Sequence, residues 1–181
     1  MNADCFGEST QLLSENSPGR LRGIHRTSAG KAISMSAESK KYYFAYGSNM
    51  DPTQMSARCP EAEWVSVGTV SGWQIRINTR GVATIIPEAG SILYGIVWSL
   101  TPADEQSLDR YEAVGKHYDK QPMEVRLDDG RNVAAFVYVA RESQRGNPRP
   151  GYMDGILAAA RSNAFPASYV QELETWATPG E

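Results

Sequence analysis

The stretch of sequence at positions 43–50 reads Tyr43-Phe44-Ala45-Tyr46-Gly47-Ser48-Asn49-Met50. Its first half is an aromatic, apolar run, which predicts a strand over residues 42–46. The next three residues are turn formers that end this strand, and a short helix is predicted directly after them, over residues 51–58. A strand that runs into a helix start aims unpaired backbone N–H groups at one point, which suits an anion or a developing oxyanion. The alternative interpretation is a plain turn with a helix N-cap.

From position 40 onward the chain alternates short β-prone runs with turn residues, which predicts a small, largely antiparallel sheet or barrel. A helix is predicted over residues 101–114, because Thr101, Pro102 and Asp104 form a start signal and Gly115 follows the last turn. Helices over residues 152–162 and 167–176 are expected to pack on the outside of the sheet. Further strands are predicted over residues 64–70, 73–78, 82–86, 92–100, 123–127 and 133–139, with bends at Gly72, Gly81 and Gly90.

The composition of the 181 residues excludes several classes of protein. With 41% hydrophobic and 22% charged residues, the chain as a whole is neither disordered nor a membrane protein, and we expect no membrane partner. The net charge of −3 and the lack of a dense Lys/Arg cluster argue against a nucleic-acid partner. Two cysteines and two histidines fit no disulfide framework or metal site, so we expect no metal and no cofactor.

Residues 1–39 differ from the rest, since they are rich in Ser, Gly and Asn and show no sustained periodicity. We predict a disordered or extended N-terminal tail there and a folded domain over residues 40–181. An alternative interpretation is that translation starts at Met35, and the intact mass of the native protein would distinguish the two. With no secretory pattern and few cysteines, we expect a cytoplasmic location. No sequence pattern indicates the oligomeric state, so a homodimer is left open.

A second group of chemistry-bearing residues lies at the end of the long predicted helix. Glu112 follows Leu108 by four residues, so both are expected on the same buried helix face. Loss of water and the negative helix end would both raise the pKa of this carboxyl, which suits acid–base catalysis near neutral pH. The alternative is a solvated glutamate that pairs with Lys116 or Arg110. Asp109 is expected to face outward or to cap the helix locally.

The remaining candidates are hydroxyl groups. Tyr118, Tyr138 and Tyr152 are candidates to project phenols into a polar cavity, the alternative being half-buried sheet packing. Ser48 is a weak candidate nucleophile, because its surroundings do not match Gly-x-Ser-x-Gly and no histidine is committed to it.

Taken together, these residues resemble the gamma-glutamylcyclotransferase family over roughly residues 40–176, with the tail left out. The motifs that carry the resemblance occur in order along the chain: residues 43–50, Gly81-Val82-Ala83-Thr84-Ile85, Gly95-Ile96-Val97-Trp98, Leu108-Asp109-Arg110-Tyr111-Glu112-Ala113-Val114, Tyr118, and Pro148-Arg149-Pro150-Gly151-Tyr152. The sequence departs from the family pattern at Met50, where leucine is usual, and at Ala113, where glycine is usual.

The resemblance implies an α+β fold, a small mixed, mostly antiparallel β-barrel with flanking helices. It implies that Glu112 is the general acid and base and that Tyr118 lies beside it. The substrate-binding residues expected on this basis are Tyr43, Phe44, Ala45, Tyr46, Gly47, Ser48, Asn49, Tyr118 and Tyr138.

The expected reaction needs no protein nucleophile. A gamma-glutamyl amide carries its own α-amine, which reaches the side-chain carbonyl through a five-membered ring. The expected activity is therefore release of 5-oxoproline and a free amine from a gamma-glutamyl amino acid or amine. Two alternatives stay open: a gamma-glutamyl-amine or isopeptide cyclotransferase that removes a protecting group in a biosynthetic pathway, and a non-catalytic small-molecule-binding domain.

Overall fold

Five strands and four α-helices make up residues 39–177, the part of the chain that the computed structural model describes. The strands are β1 (Lys41–Ala45), β2 (Glu63–Ile77), β3 (Ala83–Leu100), β4 (Tyr118–Leu127) and β5 (Asn132–Ala140). The helices are α1 (Pro52–Arg58), α2 (Pro102–Tyr111), α3 (Tyr152–Ser162) and α4 (Ala167–Ala177), and a 3₁₀ turn covers Ser48–Met50. The tail predicted for residues 1–39 lies outside the described residues, apart from Ser39.

The strands close into a barrel in the order β1-β3-β2-β4-β5. All neighbouring pairs are antiparallel except β1 and β5, which run parallel. In this register Tyr43 of β1 lies opposite Trp98 of β3 on one side and Phe136 of β5 on the other. The expected mixed, mostly antiparallel barrel with flanking helices is thereby confirmed. No helix among residues 39–177 is long and apolar enough to cross a membrane.

Strands β2 and β3 form one long hairpin, whereas the glycine pattern predicted four shorter strands. At Gly72 the backbone has a φ of 80° and the register shifts between Ser71 and Trp73, so this glycine makes a bulge and does not end the strand. Gly90 lies inside β3 with a φ of 85°. The predicted breaks at Gly72 and Gly90 were therefore wrong, while the bend at Gly81 is the true hairpin turn.

Helix α2 begins as predicted but ends earlier. The Thr101 side chain accepts from the Asp104 N–H, and the Asp104 carboxylate accepts from the Thr101 N–H, which completes a capping box. The helix stops at Tyr111, because Ala113 takes a left-handed φ of 48°, whereas the prediction carried it to residue 114. Strand β4 likewise begins at Tyr118, five residues before its predicted start at residue 123.

The barrel core is built around Phe44, which is fully buried. Its ring packs against the backbone of Gly95, where an added Cβ would lie 2.7 Å from the ring, and a Cβ on Gly68 would lie 3.3 Å from it. Only residues without a side chain admit the ring at these positions. This packing anchors β1, and the turn that follows β1 carries the residues of the site.

Candidate active site

A cavity of about 520 Å³ lies beside the turn that follows β1. Four segments distant in sequence supply most of its wall: this turn with α1, the β2–β3 turn, the residues after α2, and the start of α3. Of the residues predicted for the site, the cavity brings together Tyr43, Tyr46, Gly47, Ser48, Asn49, Glu112, Tyr118 and Tyr138. Phe44 and Ala45 do not line it, since both side chains are fully buried in the barrel core.

Asn49 connects the turn to Glu112. The Asn49 side chain is buried, and its Nδ2 donates to Glu112 Oε1 at 2.9 Å and to the Tyr43 hydroxyl at 2.8 Å. Its Oδ1 accepts from Arg58 Nη1, and its backbone carbonyl accepts from Trp98 Nε1 at 3.1 Å. With both polar atoms of the side chain occupied, the amide is fixed in one orientation, and it presents a donor to the carboxylate.

The pKa of Glu112 is raised above its ordinary value, chiefly because the side chain is withdrawn from water. Three groups act in the opposite direction and favour the charged form: the hydrogen bond from Asn49 and the positive charges of Arg58 and Arg80. Burial outweighs them, so this carboxyl is easier to protonate than an exposed glutamate. A raised pKa of this kind is a feature of carboxyls that act in acid–base catalysis.

The local chain path explains how Glu112 reaches the cavity. Leu108 is fully buried, and its carbonyl accepts from the Glu112 N–H at 2.9 Å. Glu112 is therefore the C-cap residue, directly after the last turn of α2. The next residue, Ala113, is left-handed, a conformation that costs a residue with a Cβ about 1–2 kcal/mol. The departure from the family's usual glycine therefore falls at a strained position.

Four tyrosines in the wall are held as neutral phenols. Tyr118 donates to the Ala83 carbonyl at 3.3 Å, and the Ala83 N–H donates to the Tyr152 hydroxyl at 2.9 Å. Tyr46 donates to the backbone carbonyl of Tyr138 at 2.6 Å. Burial raises the pKa of each of these four phenols, so none is ionised near neutral pH. They supply hydroxyl groups of fixed orientation.

Asp109 faces inward, so the expectation that it faces outward or caps the helix locally was wrong. It accepts from the Tyr138 hydroxyl at 2.6 Å and from Lys120 Nζ at 2.8 Å. Lys120 also pairs with Glu105 at 2.7 Å. The i, i+3 spacing of Asp109 and Glu112 could have indicated two carboxylates close together, but not that β5 supplies the hydroxyl.

Three arginines in the wall were missed by the sequence analysis: Arg58 from α1, Arg80 from the β2–β3 turn and Arg149 from the loop before α3. Arg58 stacks over the Tyr111 ring at 3.8 Å and donates to the Tyr111 hydroxyl and to Ser48 Oγ. No signal in the sequence marks these arginines, because they converge only through the closure of the barrel.

Ser48 and His117 both line the cavity, together with Glu112. Ser48 Oγ accepts from Arg58 Nη1 at 3.3 Å, and no contact between Ser48 and His117 occurs among the described hydrogen bonds. Within residues 39–177, no cluster of three or more His, Cys, Asp or Glu side chains could hold a metal ion.

A sequence profile of the proteins described as "Gamma-glutamyl cyclotransferase, AIG2-like" matches residues 43–155 of this chain, a span that contains the turn after β1 and Glu112. The chain belongs to this family. The membership confirms the resemblance that the ordered motifs indicated.

Individual members give the same picture. The gamma-glutamylcyclotransferase of Homo sapiens is 26% identical over 143 residues, covering 73% of this chain and 76% of the human protein. That of Bos taurus is 28% identical over 145 residues, covering 74% and 77%. A solved gamma-glutamyl cyclotransferase structure, 24% identical, matches the fold with a TM-score of 0.71 over 78% of this chain and 92% of that one.

Proposed function

We propose that this protein is a gamma-glutamylcyclotransferase in which Glu112 is the general acid and base. It converts a gamma-glutamyl amide into 5-oxoproline and a free amine. The observation that carries the assignment is the hydrogen bond between Asn49 Nδ2 and Glu112 Oε1, which holds a carboxyl of raised pKa beside the turn after β1. Family membership supplies the reaction class, and this geometry supplies the catalytic group.

The proton steps balance with one carboxyl. Ionised Glu112 takes a proton from the substrate ammonium, and the free amine then attacks the γ-carbonyl carbon to close a five-membered ring. As the bond from that carbon to the leaving nitrogen breaks, Glu112 returns the proton to this nitrogen. The excess proton on the ring nitrogen ends on the released amine as an ammonium. No oxidant, water or protein nucleophile takes part.

The negative charge that develops on the carbonyl oxygen needs donors. The first N–H groups of the 3₁₀ turn, those of Ser48 and Asn49, belong to a helix start, where such groups have no intrahelical acceptor. We assign them to the oxyanion, because they follow directly on Gly47 in the wall of the cavity. The Ser48 hydroxyl then serves to position the substrate through its contact with Arg58.

The glutamyl moiety is proposed to bind against the tyrosines of the wall. Tyr43, Tyr46, Tyr118 and Tyr138 surround the space beside Glu112. The last three already donate their hydroxyl protons within the protein and offer acceptor lone pairs, whereas Tyr43 accepts from Asn49 and keeps its proton to donate. A Cβ on Gly47 would make ordinary contact with the Ala83 side chain at 3.4 Å and the Tyr152 hydroxyl at 3.5 Å, so the glycine leaves that space in the wall unfilled. Phe44 and Ala45 support the turn from the core and do not touch the substrate.

The purified full chain tests this proposal directly when it is incubated with a panel of gamma-glutamyl dipeptides and assayed for 5-oxoproline by mass spectrometry. We expect equal amounts of 5-oxoproline and free amino acid. Folded protein that releases neither product from any member of the panel would contradict the proposal and favour a binding domain. Ser48→Ala should weaken substrate binding without abolishing turnover, whereas an acyl-enzyme trapped at Ser48 would overturn the assignment.

A further inference from the structure

The cavity wall is positively charged, although the protein as a whole is acidic. Among the described residues that line it, three guanidinium groups, those of Arg58, Arg80 and Arg149, face one carboxylate, that of Glu112. The whole chain carries a net charge of −3. This excess of positive charge inside the cavity favours a substrate with more than one negative group.

Two of the three arginines are engaged by the protein itself. Arg58 bonds to Gln54 at 2.6 Å and to the Tyr111 hydroxyl at 2.6 Å, in addition to Asn49. Arg149 donates from Nε to the Arg80 backbone carbonyl at 2.8 Å. Both therefore have a place in the architecture of the wall.

Arg80 differs from the other two arginines, because one nitrogen of its guanidinium has no hydrogen-bond partner among the described residues. This nitrogen, Nη1, is also shielded from bulk water. A donor nitrogen that is shielded from water and unpaired costs stability, because it loses hydrogen bonds to water and gains none in return. Such a group is explained if an acceptor from outside the protein completes it.

The backbone of Arg80 is built to hold one position. The fully buried Asn78 accepts the Arg80 N–H on its side-chain oxygen at 3.0 Å, and Gly81 makes the following turn with a φ of 74°. The Arg149 contact fixes the carbonyl of the same residue. These contacts fix the point at which the Arg80 side chain leaves the backbone and joins the cavity wall.

Arg80 also lies close to the reacting groups. Its charge lowers the pKa of Tyr118 and of His117 and favours the ionised form of Glu112, in each case alongside the larger effect of burial. An anion that pairs with Arg80 therefore lies near the bond that is cleaved. The glutamyl end of the substrate is already assigned to the turn after β1 and the tyrosines.

We propose that Arg80 is a specificity-determining residue that binds a carboxylate on the leaving amine. The preferred substrates then release an amino acid or a peptide with a carboxylate close to the scissile amide, and gamma-glutamyl derivatives of simple amines are poor substrates. This inference rests on the proposed function, because it needs a leaving amine. Guanidinium and carboxylate match as paired donors and acceptors, and such charge-assisted bonds are the strong ones.

The test compares gamma-glutamyl-alanine with gamma-glutamyl-alaninamide, which differ only in the charge of the terminal group, on wild type and on Arg80→Met. Wild type should prefer the carboxylate by about 10- to 100-fold in kcat/KM, the range expected for one charge-assisted hydrogen bond. Arg80→Met should lose this preference, because only the carboxylate substrate loses a binding partner. Any effect of the missing charge on Glu112 falls on both substrates alike. Dividing the substrate preference of wild type by that of Arg80→Met cancels the intrinsic difference in reactivity between the two leaving groups.

Two controls sharpen the comparison. Arg126 is exposed on β4 away from the cavity, so Arg126→Met removes the same charge and should keep the wild-type preference. Arg80→Lys retains the charge without the planar fork, and it should keep part of the preference. If Arg80→Met does not fold, the wild-type preference and the intermediate value for Arg80→Lys decide the question.

Each outcome separates the inference from the proposed function. Wild type that cleaves both substrates equally, or prefers the amide, overturns the role of Arg80 while the cyclotransferase assignment stands. An Arg80→Met variant that loses both substrates to the same degree also overturns it, since Arg80 would then hold the glutamyl end or the fold. Wild type that cleaves neither substrate overturns the proposed function together with this inference.

Discussion

Replacing Asn49 with aspartate tests whether the amide of this residue tunes Glu112. The change keeps the shape but turns the Nδ2 donor, which lies 2.9 Å from Glu112 Oε1, into an anionic acceptor. Tyr43 can rotate its hydroxyl to donate instead, and Arg58 still has an acceptor, so the loss falls mainly on the carboxylate pair. A lost hydrogen bond to a charged group is worth about 1.5–3 kcal/mol, and the new negative charge also disfavours ionised Glu112, so the pKa of Glu112 rises.

The sign of the effect on activity follows from the proton steps. Catalysis begins with ionised Glu112, so a raised pKa moves the acid limb of the kcat/KM profile to higher pH. In the acid range Asn49→Asp should be slower than wild type by about 10- to 100-fold, and the deficit should shrink as the pH rises. The assay is 5-oxoproline release from gamma-glutamyl-alanine between pH 5 and pH 9, a range of roughly two units on either side of neutrality.

A matched control exists on the exposed β4–β5 hairpin. There Asn132 Nδ2 donates to Glu124 Oε1 at 2.9 Å, the same contact in solvent and away from the cavity, so Asn132→Asp should leave the profile unchanged. An acid limb in Asn49→Asp at the wild-type position, in protein with a native circular dichroism spectrum, would refute this reasoning.

Three further predictions concern stability and positioning. Because burial raises the pKa of Glu112, ionisation of this carboxyl destabilises the fold as the pH rises through that pKa. In thermal scans Glu112→Gln should therefore have a higher melting temperature than wild type at pH 8 and the same melting temperature at pH 4. A lower melting temperature at both pH values would contradict this. Tyr138→Phe removes the 2.6 Å hydrogen bond to Asp109, and Asp109→Asn weakens it by removing the negative charge, so each should lower kcat/KM by about two- to tenfold. The double variant should lose little more than Tyr138→Phe alone, and fully additive losses would show independent roles. Ala113→Gly should raise the free energy of unfolding by about 1 kcal/mol in urea titrations, because glycine relieves the left-handed strain; an unchanged or lower value would mean that the backbone there is not strained.

The fold was largely predictable where local signals and long-range pairing agree. The aromatic run before Gly47 gave β1, and the capping box of Thr101 and Asp104 gave the start of α2. The strand ends at Gly72 and Gly90 were mispredicted, because a left-handed glycine makes a bulge inside a long hairpin as readily as it ends a strand. Local sequence does not distinguish the two cases.

The site was predictable only in part. Glu112 could be predicted because it follows, by one helical turn, a leucine that is expected to be buried. The residues of the turn after β1 could be predicted because a strand runs directly into a helix start there. Phe44 and Ala45 belong to the same motif, but their side chains are buried in the barrel core. The position of Asp109 was mispredicted because its partner, the Tyr138 hydroxyl, comes from β5. Arg80 was not predicted, because the β2–β3 turn that carries it is distant from Glu112 in sequence and lines the same cavity only in the folded protein. The N-terminal tail and the cytoplasmic location stay predictions from the sequence, and the homodimer stays open.

Turnover by Glu112→Gln tests the central claim most directly. The glutamine keeps an acceptor for the Asn49 amide but cannot carry the proton, so substrate affinity measured by calorimetry should stay within a few fold of wild type. 5-Oxoproline release should fall by about 10² to 10⁴, while Glu124→Gln, which changes an exposed glutamate bonded to an asparagine, should keep full activity. A folded Glu112→Gln protein that cyclises gamma-glutamyl-alanine at a rate close to that of wild type would contradict the account.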